Sequence, residues 1–216
     1  GPTPERVLAI CRLLENNSYN QGELYKLSQL SDDPTSEEAV NHSIQVAKEL
    51  DLIREENEKY VLAVTPSPLE SAKSFRRMIA PVIFARSNST FFKLTEWFIA
   101  NEYAAEASKA GLESVTENDV LGWRFWMRFL GHAYQYNRTL IPNMKIRLED
   151  AMVGLPKETH MTCTQFVLWL KEHVPEAAAS CSETTLPLAV SNGLRTLQNE
   201  GKIEIIAIKD AIRTGL

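Results

Sequence analysis

The opening stretch of the chain places three helix starts in close succession and then a short β-rich run, an order that few small folds satisfy. Thr3-Pro4-Glu5 puts a hydroxyl at the N-cap, proline at the first helical position and an acid near the positive end of the dipole. Val7, Ile10, Cys11 and Leu14 follow at helical spacing, and Asn16-Asn17-Ser18 ends the run. Asn20-Gln21-Gly22-Glu23 supplies a second cap with its acid three residues on, ahead of Leu24, Leu27 and Leu30. After the break at Ser31-Asp32-Asp33-Pro34, Thr35-Ser36-Glu37-Glu38 reads as a capping box for a third helix carrying Val40, Ile44, Ala47 and Leu50. Asp51–Arg54, a polar turn through Glu55–Glu58 and the run Tyr60–Val64 then read as a two-stranded hairpin. Gly1-Pro2 reads as a protease-cleavage scar and takes no part in the reasoning.

The last third of the chain repeats the order. Met144–Val153 is expected as a first helix ended by Gly154-Leu155-Pro156, and His160-Met161-Thr162 as a short strand. Thr162-Cys163-Thr164-Gln165 is a capping box for a helix with Phe166, Trp169, Leu170 and His173 on one face, stopped at Val174-Pro175. Ser182–Thr185 is expected to cap the next helix, with Leu186, Val190, Leu194 and Leu197 inward, Gly201 at its end and a strand over Lys202–Ile208. Between the two ends, Pro66-Ser67-Pro68 is a linker, Leu69–Arg86 is helical with Pro81 bending or splitting it, and Phe91–Ala107 is helical. Thr116-Glu117-Asn118-Asp119 starts an aromatic-dense helix read through about Asn137, the buried centre of a middle bundle.

Three helices followed by a hairpin resemble a winged helix-turn-helix domain, and the passage Lys48 to Ile53 carries that resemblance at the first end. The phrase Gly193-Leu194-Arg195-Thr196-Leu197-Gln198-Asn199-Glu200-Gly201-Lys202-Ile203 is similar to the helix-3-to-wing passage of many bacterial winged-helix regulators. The expected architecture is mainly α with small β wings. Two winged helix-turn-helix domains, 3–65 and 144–216, flank a helical middle domain, 66–143.

Composition narrows the function classes. With 44% hydrophobic residues the chain is not mainly disordered, and no apolar run approaches the roughly 20 residues that span a bilayer. The odd set Cys11, Cys163 and Cys181 is no disulfide framework and fits a reducing, cytoplasmic compartment. The net charge of −5 argues against a simple polycation. It conceals an asymmetry: residues 1–65 balance to −6, residues 66–148 to +4 and residues 149–216 to −3.

A winged-helix domain meets DNA through its third helix. At the first end Asn41 and Gln45 are candidates to read adenine, and His42 and Lys48 to meet phosphate. Glu37, Glu38 and the acids Glu55, Glu56 and Glu58 oppose them, and a solvated or protein-binding face is the competing reading. At the last end Thr185, Asn192 and Arg195 face outward with only Glu183 opposing, Asn192 and Arg195 being the preferred contacts. In the middle, Arg124, Arg128 and His132 form one basic stripe and Lys73, Arg76 and Arg77 a second. Salt bridging to the acidic ends is the alternative role for those arginines, and core packing is the role expected of the aromatics.

No metal-ligand set, glycine-rich phosphate loop, nucleophile elbow or paired-cysteine motif occurs, so no catalytic residue, metal or cofactor is expected. The opening Thr3–Leu8 and the overall layout resemble DpdG-type proteins, which are encoded with bacterial clusters that insert 7-deazaguanine derivatives into DNA and restrict foreign DNA. The resemblance implies a non-enzymatic, double-stranded-DNA-binding accessory role in DNA modification or restriction (phage defence), beside helicase- and nuclease-like partners. The rival expectation is a protein-interaction scaffold within a multiprotein complex, anchored through Tyr19, Tyr25 or Tyr60.

Overall fold

The computed structural model describes residues 1–29, 35–87, 89–92, 105, 107–109, 111, 115–137, 139–178, 181–182 and 185–206. It is mainly helical with two small two-stranded sheets, and the chain divides into two compact units, Gly1–Ile141 and Pro142–Leu216. Among the described residues no helix is long and apolar enough to cross a membrane.

In the first unit, helix α1 (Pro4–Leu13) starts as its sequence dictates, the Thr3 hydroxyl accepting from the Arg6 amide. Its apolar stripe, Val7, Leu8, Ile10 and Cys11, is buried, and burial pushes the Cys11 thiol up to about 12. Helix α2 (Gln21–Ser28) opens with a full capping box between Asn20 and Glu23. Helix α3 (Thr35–Glu49) follows; the capping side chains expected at Thr35 and Ser36, and the break before them, lie outside the described residues. Strands β1 (Ile53–Glu56) and β2 (Lys59–Leu62) pair antiparallel, with Ile53 opposite Leu62 and Glu56 opposite Lys59. Tyr19, in the α1–α2 connection, adds a rung that no periodicity announces: its amide donates to the Tyr60 carbonyl at 3.3 Å and its carbonyl accepts from the Tyr60 amide at 2.7 Å.

The chain passes through a short 3₁₀ turn (Ser67–Leu69) into helix α4 (Ala72–Arg86), which Pro81 neither splits nor ends. Arg12 ties α1 to this passage, donating to the carbonyls of Leu69 at 2.8 Å and Glu70 at 3.0 Å. Most of the helix expected over Phe91–Ala107 lies outside the described residues. Helix α5 (Glu117–Phe129) is capped by Thr116 but stops well short of Asn137. Gly131, at φ +79°, turns the backbone out of the helix, and strands β3 (Ala133–Tyr136) and β4 (Thr139–Pro142) form a second hairpin. One hydrophobic core runs from Val7 and Ile44 through Phe75 and Ile79 to Trp123, Met127 and Leu140, so the segment after Pro66 packs on the opening helices.

The second unit contains α6 (Lys145–Ala151), α7 (Cys163–His173), α8 (Pro175–Ala178) and α9 (Leu188–Asn199). The Thr162–Gln165 capping box forms as read. Residues 160–162 are not a strand, and the described residues 202–206 form none either, because a lone extended run has no ladder partner there. Helix α9 begins after Pro187 and not within Ser182–Thr185. Two devices hold this unit together. Arg147 and Glu176 make an ion pair at 2.6 Å with 13% and 3% of their side chains exposed, and Arg147 also donates to the His173 carbonyl at 2.8 Å. Gly193 lets α9 approach α6 so closely that a Cβ there would lie 2.8 Å from the Lys145 amide nitrogen.

The helices α3, α5 and α9 end in one backbone pattern. The amides of Leu52, His132 and Lys202 reach back to the carbonyls of Ala47, Met127 and Leu197 at 2.9, 3.0 and 3.0 Å. The amides of Asp51, Gly131 and Gly201 reach Lys48, Arg128 and Gln198 at 3.0, 3.1 and 2.9 Å, and these three residues share positive φ. Both bonds together make a Schellman motif. After α3 and α5 the agreement continues through the hairpins: each first strand starts four residues beyond its helix, and Asn57 and Asn137 sit at φ +51° and +53° in the two turns.

Candidate nucleic-acid interface

The shared helix end lets the two hairpins of the first unit be compared position by position. Lys48 of α3 corresponds to Arg128 of α5, and each side chain meets the third residue of the following strand. Lys48 meets Glu55 in a salt bridge at 3.2 Å and lies over the Tyr60 ring, 5.7 Å from its centroid. Arg128 donates to the neutral amide oxygen of Gln135 at 3.1 Å, and the Gln135 amide donates in turn to the Asn137 carbonyl at 2.7 Å. Among the described residues no carboxylate pairs with Arg128. On the opposite face of the ribbon, Arg54 and Glu56 pair at 2.6 Å in β1, where β3 carries Tyr134 and Tyr136 with 48% and 66% exposure. Among the described residues the first passage pairs Lys48 and Arg54 with its own acids, while the second leaves the Arg128 guanidinium without a carboxylate and two aromatic rings exposed to solvent.

The residues expected to contact DNA fall into two groups. Asn41 accepts from the Gln21 side chain at 2.8 Å and ties α2 to α3; Gln45 donates to Glu49 at 3.1 Å; Lys48 is held by Glu55. His42 is exposed and lines a groove of about 1490 Å³ with Arg6, Leu121 and Phe125. In the second unit Asn192 faces inward, contrary to expectation, and donates at 2.9 Å to the Pro142 carbonyl, fixing the start of that unit. Thr185 is exposed but precedes the helix, its carbonyl accepting from the Ser182 amide at 2.9 Å, so it does not lie on the face of α9. Arg195 is exposed on α9, as read.

Arg124 and Arg128 both lie on α5, Arg128 exposed and Arg124 half-buried with its Nε buried and unbonded. His132 does not extend their stripe: it follows the helix end, is buried, and packs against Phe92 with ring centroids 5.2 Å apart. Lys73 and Arg77 are exposed on α4, with Arg76 half-buried between them. Trp123 and Trp126 are core residues whose indole N–H groups donate to the Phe91 and Pro2 carbonyls at 2.7 and 3.1 Å. Tyr19, Tyr25 and Tyr60 are partly buried against the same core.

Tyr134 and Tyr136 are what sequence reasoning missed as surface groups. The signal available was Gly131, followed by alternation through Ala133-Tyr134-Gln135-Tyr136 up to Asn137, a turn residue. No group of three or more histidine, cysteine or acidic side chains that could hold a metal ion occurs among the described residues. No protein-family model, curated protein or solved structure matches the chain.

Proposed function

We propose that the chain is a non-enzymatic DNA-binding protein of tandem winged helix-turn-helix type, serving in the cytoplasm as an accessory component of a bacterial DNA modification or restriction system. The opening three helices, their hairpin and the Tyr19 rung supply the parts of one winged helix. Helix α5 with β3–β4 supplies the third-helix-and-wing portion of another, and the end of α9 repeats the helix terminus a third time. The observation that carries the reading is an exposed arginine at the end of a helix, beside a hairpin, with no carboxylate among the described residues to neutralise it: Arg128 on α5. DNA affinity is dominated by phosphate neutralisation, so such a group is where a duplex gains most. The setting in DNA modification or restriction rests on the likeness to DpdG-type proteins.

A duplex-binding titration at low and at physiological salt tests the reading. Binding is expected to weaken as salt rises, and to drop clearly in Arg195→Ala and in the double variant Arg124→Ala, Arg128→Ala. A native chain that leaves duplex DNA free at low salt overturns it.

The first helix–hairpin passage supports a second role. Asn41, Gln45 and Lys48 are engaged within the protein, and Glu55, Glu56 and Glu58 crowd the hairpin, a surface suited to a basic protein partner in a larger complex.

A further inference from the structure

Two hairpins on one scaffold give a duplex two places to seat, and charge separates them. The passage from Val46 to Leu62 recurs in the described residues between Trp126 and Pro142, hydrogen bond for hydrogen bond at the helix end and residue for residue in strand length. Among the described residues, the two ion pairs of the first helix–hairpin passage have counterparts in the second from which the acid is missing, while Lys59 aligns with Thr139. Lys48 with Glu55 becomes Arg128 with Gln135, and Arg54 with Glu56 becomes Tyr134 with Tyr136. A carboxylate in contact with a cation lowers the gain from a phosphate, because the pair must open or the acid must be brought beside the phosphate. A glutamine carries no such penalty. Exposed tyrosines add flat rings and hydroxyl donors where the first hairpin spends its groups on each other.

We propose that the β3–β4 ribbon and the end of α5, and not the first hairpin, form the surface that seats duplex DNA, with Arg128 against one sugar-phosphate wall of a groove and Tyr134 and Tyr136 against the other. A two-stranded ribbon that enters a groove is flanked by a wall on each face, which is how side chains on opposite faces of β3 share one ligand. The +4 balance of residues 66–148, against −6 for residues 1–65, favours the same placement. This inference rests on the DNA-binding reading above and adds the site.

The test exchanges the distinguishing residue between the hairpins in the full chain, with a fluorescently labelled duplex followed by anisotropy. Gln135→Glu rebuilds the Lys48–Glu55 arrangement around Arg128 and is expected to weaken binding about three- to tenfold and to lower the salt slope by about one. Gln135→Lys is expected to tighten binding, an opposite sign that misfolding would not produce. Tyr134→Ala with Tyr136→Ala is expected to weaken it, and Glu55→Gln to leave it unchanged. If the native chain binds with salt dependence while Gln135→Glu and Gln135→Lys both match it, this placement is overturned and the DNA reading stands. If the native chain binds no duplex at low salt, both fall.

Discussion

At position 55 a glutamate closes on Lys48, and at position 135 a glutamine closes on Arg128, at matching places in two helix–hairpin passages. The backbone of both passages is set by groups that do not reach the surface. Leu52 and His132 are buried at the first residue beyond the turn, Ile53 and Ala133 at the start of the strand, and Ala47 and Met127 on the helix beneath. The turn itself needs a left-handed residue, taken by Asp51 in one and Gly131 in the other. Outward positions are under no such demand, so charge, aromatic content and partner can change while the scaffold persists. Asp51 shows how far that freedom goes: besides its left-handed backbone it pairs with Arg86 of α4, a use for which Gly131 has no side chain.

The comparison extends to α9, and its most damaging substitution lies there. Aligned on their shared ends, α3, α5 and α9 place Ser43, Trp123 and Gly193 at one inward position, all buried. Ser43 donates its hydroxyl to the Ala39 carbonyl at 2.7 Å, and Trp123 spans to Phe91. Gly193 leaves no side-chain gap, since an added Cβ would stand 2.8 Å from the Lys145 nitrogen and 2.9 Å from the Met144 carbonyl carbon. Both are backbone atoms of the neighbouring segment and cannot rotate away. Gly193→Ala is expected to cost the second unit about 2–3 kcal/mol, and Ser43→Ala less than about 1 kcal/mol in the first. Denaturant unfolding measures both. Equal costs would mean that the shared position is packed alike in the three helices, against the geometry described.

The element starts were legible because capping chemistry is local. Thr3, Asn20, Thr116 and Thr162 each accept from an amide three residues on, as their spacing requires. The second hairpin was not legible as such, because aromatic residues recur on both sides of Gly131, from Trp123 to Phe129 and again at Tyr134 and Tyr136, and hide the change of period there. Helix periodicity also says which positions face out but not whether they are free. Asn41 and Asn192 both lie on helices, yet Gln21 and the Pro142 carbonyl occupy them, and both partners are distant in sequence. Charge spacing alone singles out Arg128; the neutrality of its partner emerges only once Gln135 is placed on a strand beside it.

The start of α5 offers a smaller test. The Asp119 carboxylate accepts from the Thr116 amide at 2.8 Å and hydroxyl at 2.7 Å, while the Asp119 amide donates back to that hydroxyl at 3.3 Å. Those bonds, the hydroxyl's first, hold the Asp119 carboxyl below its ordinary range. A depressed carboxyl contributes stability above its unfolded-state value and loses it as the pH falls through the folded-state value. Thr116→Ala is therefore expected to cost the first unit about 1 kcal/mol at neutral pH. Asp119→Asn should destabilise at neutral pH by a margin that closes as the solution is acidified. A margin that stays constant down the acid limb of a thermal-unfolding series would show that the carboxylate is not what the cap uses.

The smallest effect bears most directly on the proposed placement of DNA. The first turn holds Asn57 and Glu58 at φ +51° and +62°, the signature of a tight primed turn that favours asparagine followed by glycine. Glutamate at the second place has a Cβ in the left-handed region, and replacing it with glycine removes that strain at some cost in unfolded-chain entropy. Glu58→Gly is expected to raise first-unit stability by about 0.5 kcal/mol. It also takes one negative charge off the first hairpin. If the ribbon after α5 carries the duplex, the variant melts slightly later and binds as the native chain does, because the charge it loses faces no phosphate. If affinity rises with the melting temperature, the acids of the first hairpin lie against the DNA, and the division of labour between the two hairpins is reversed.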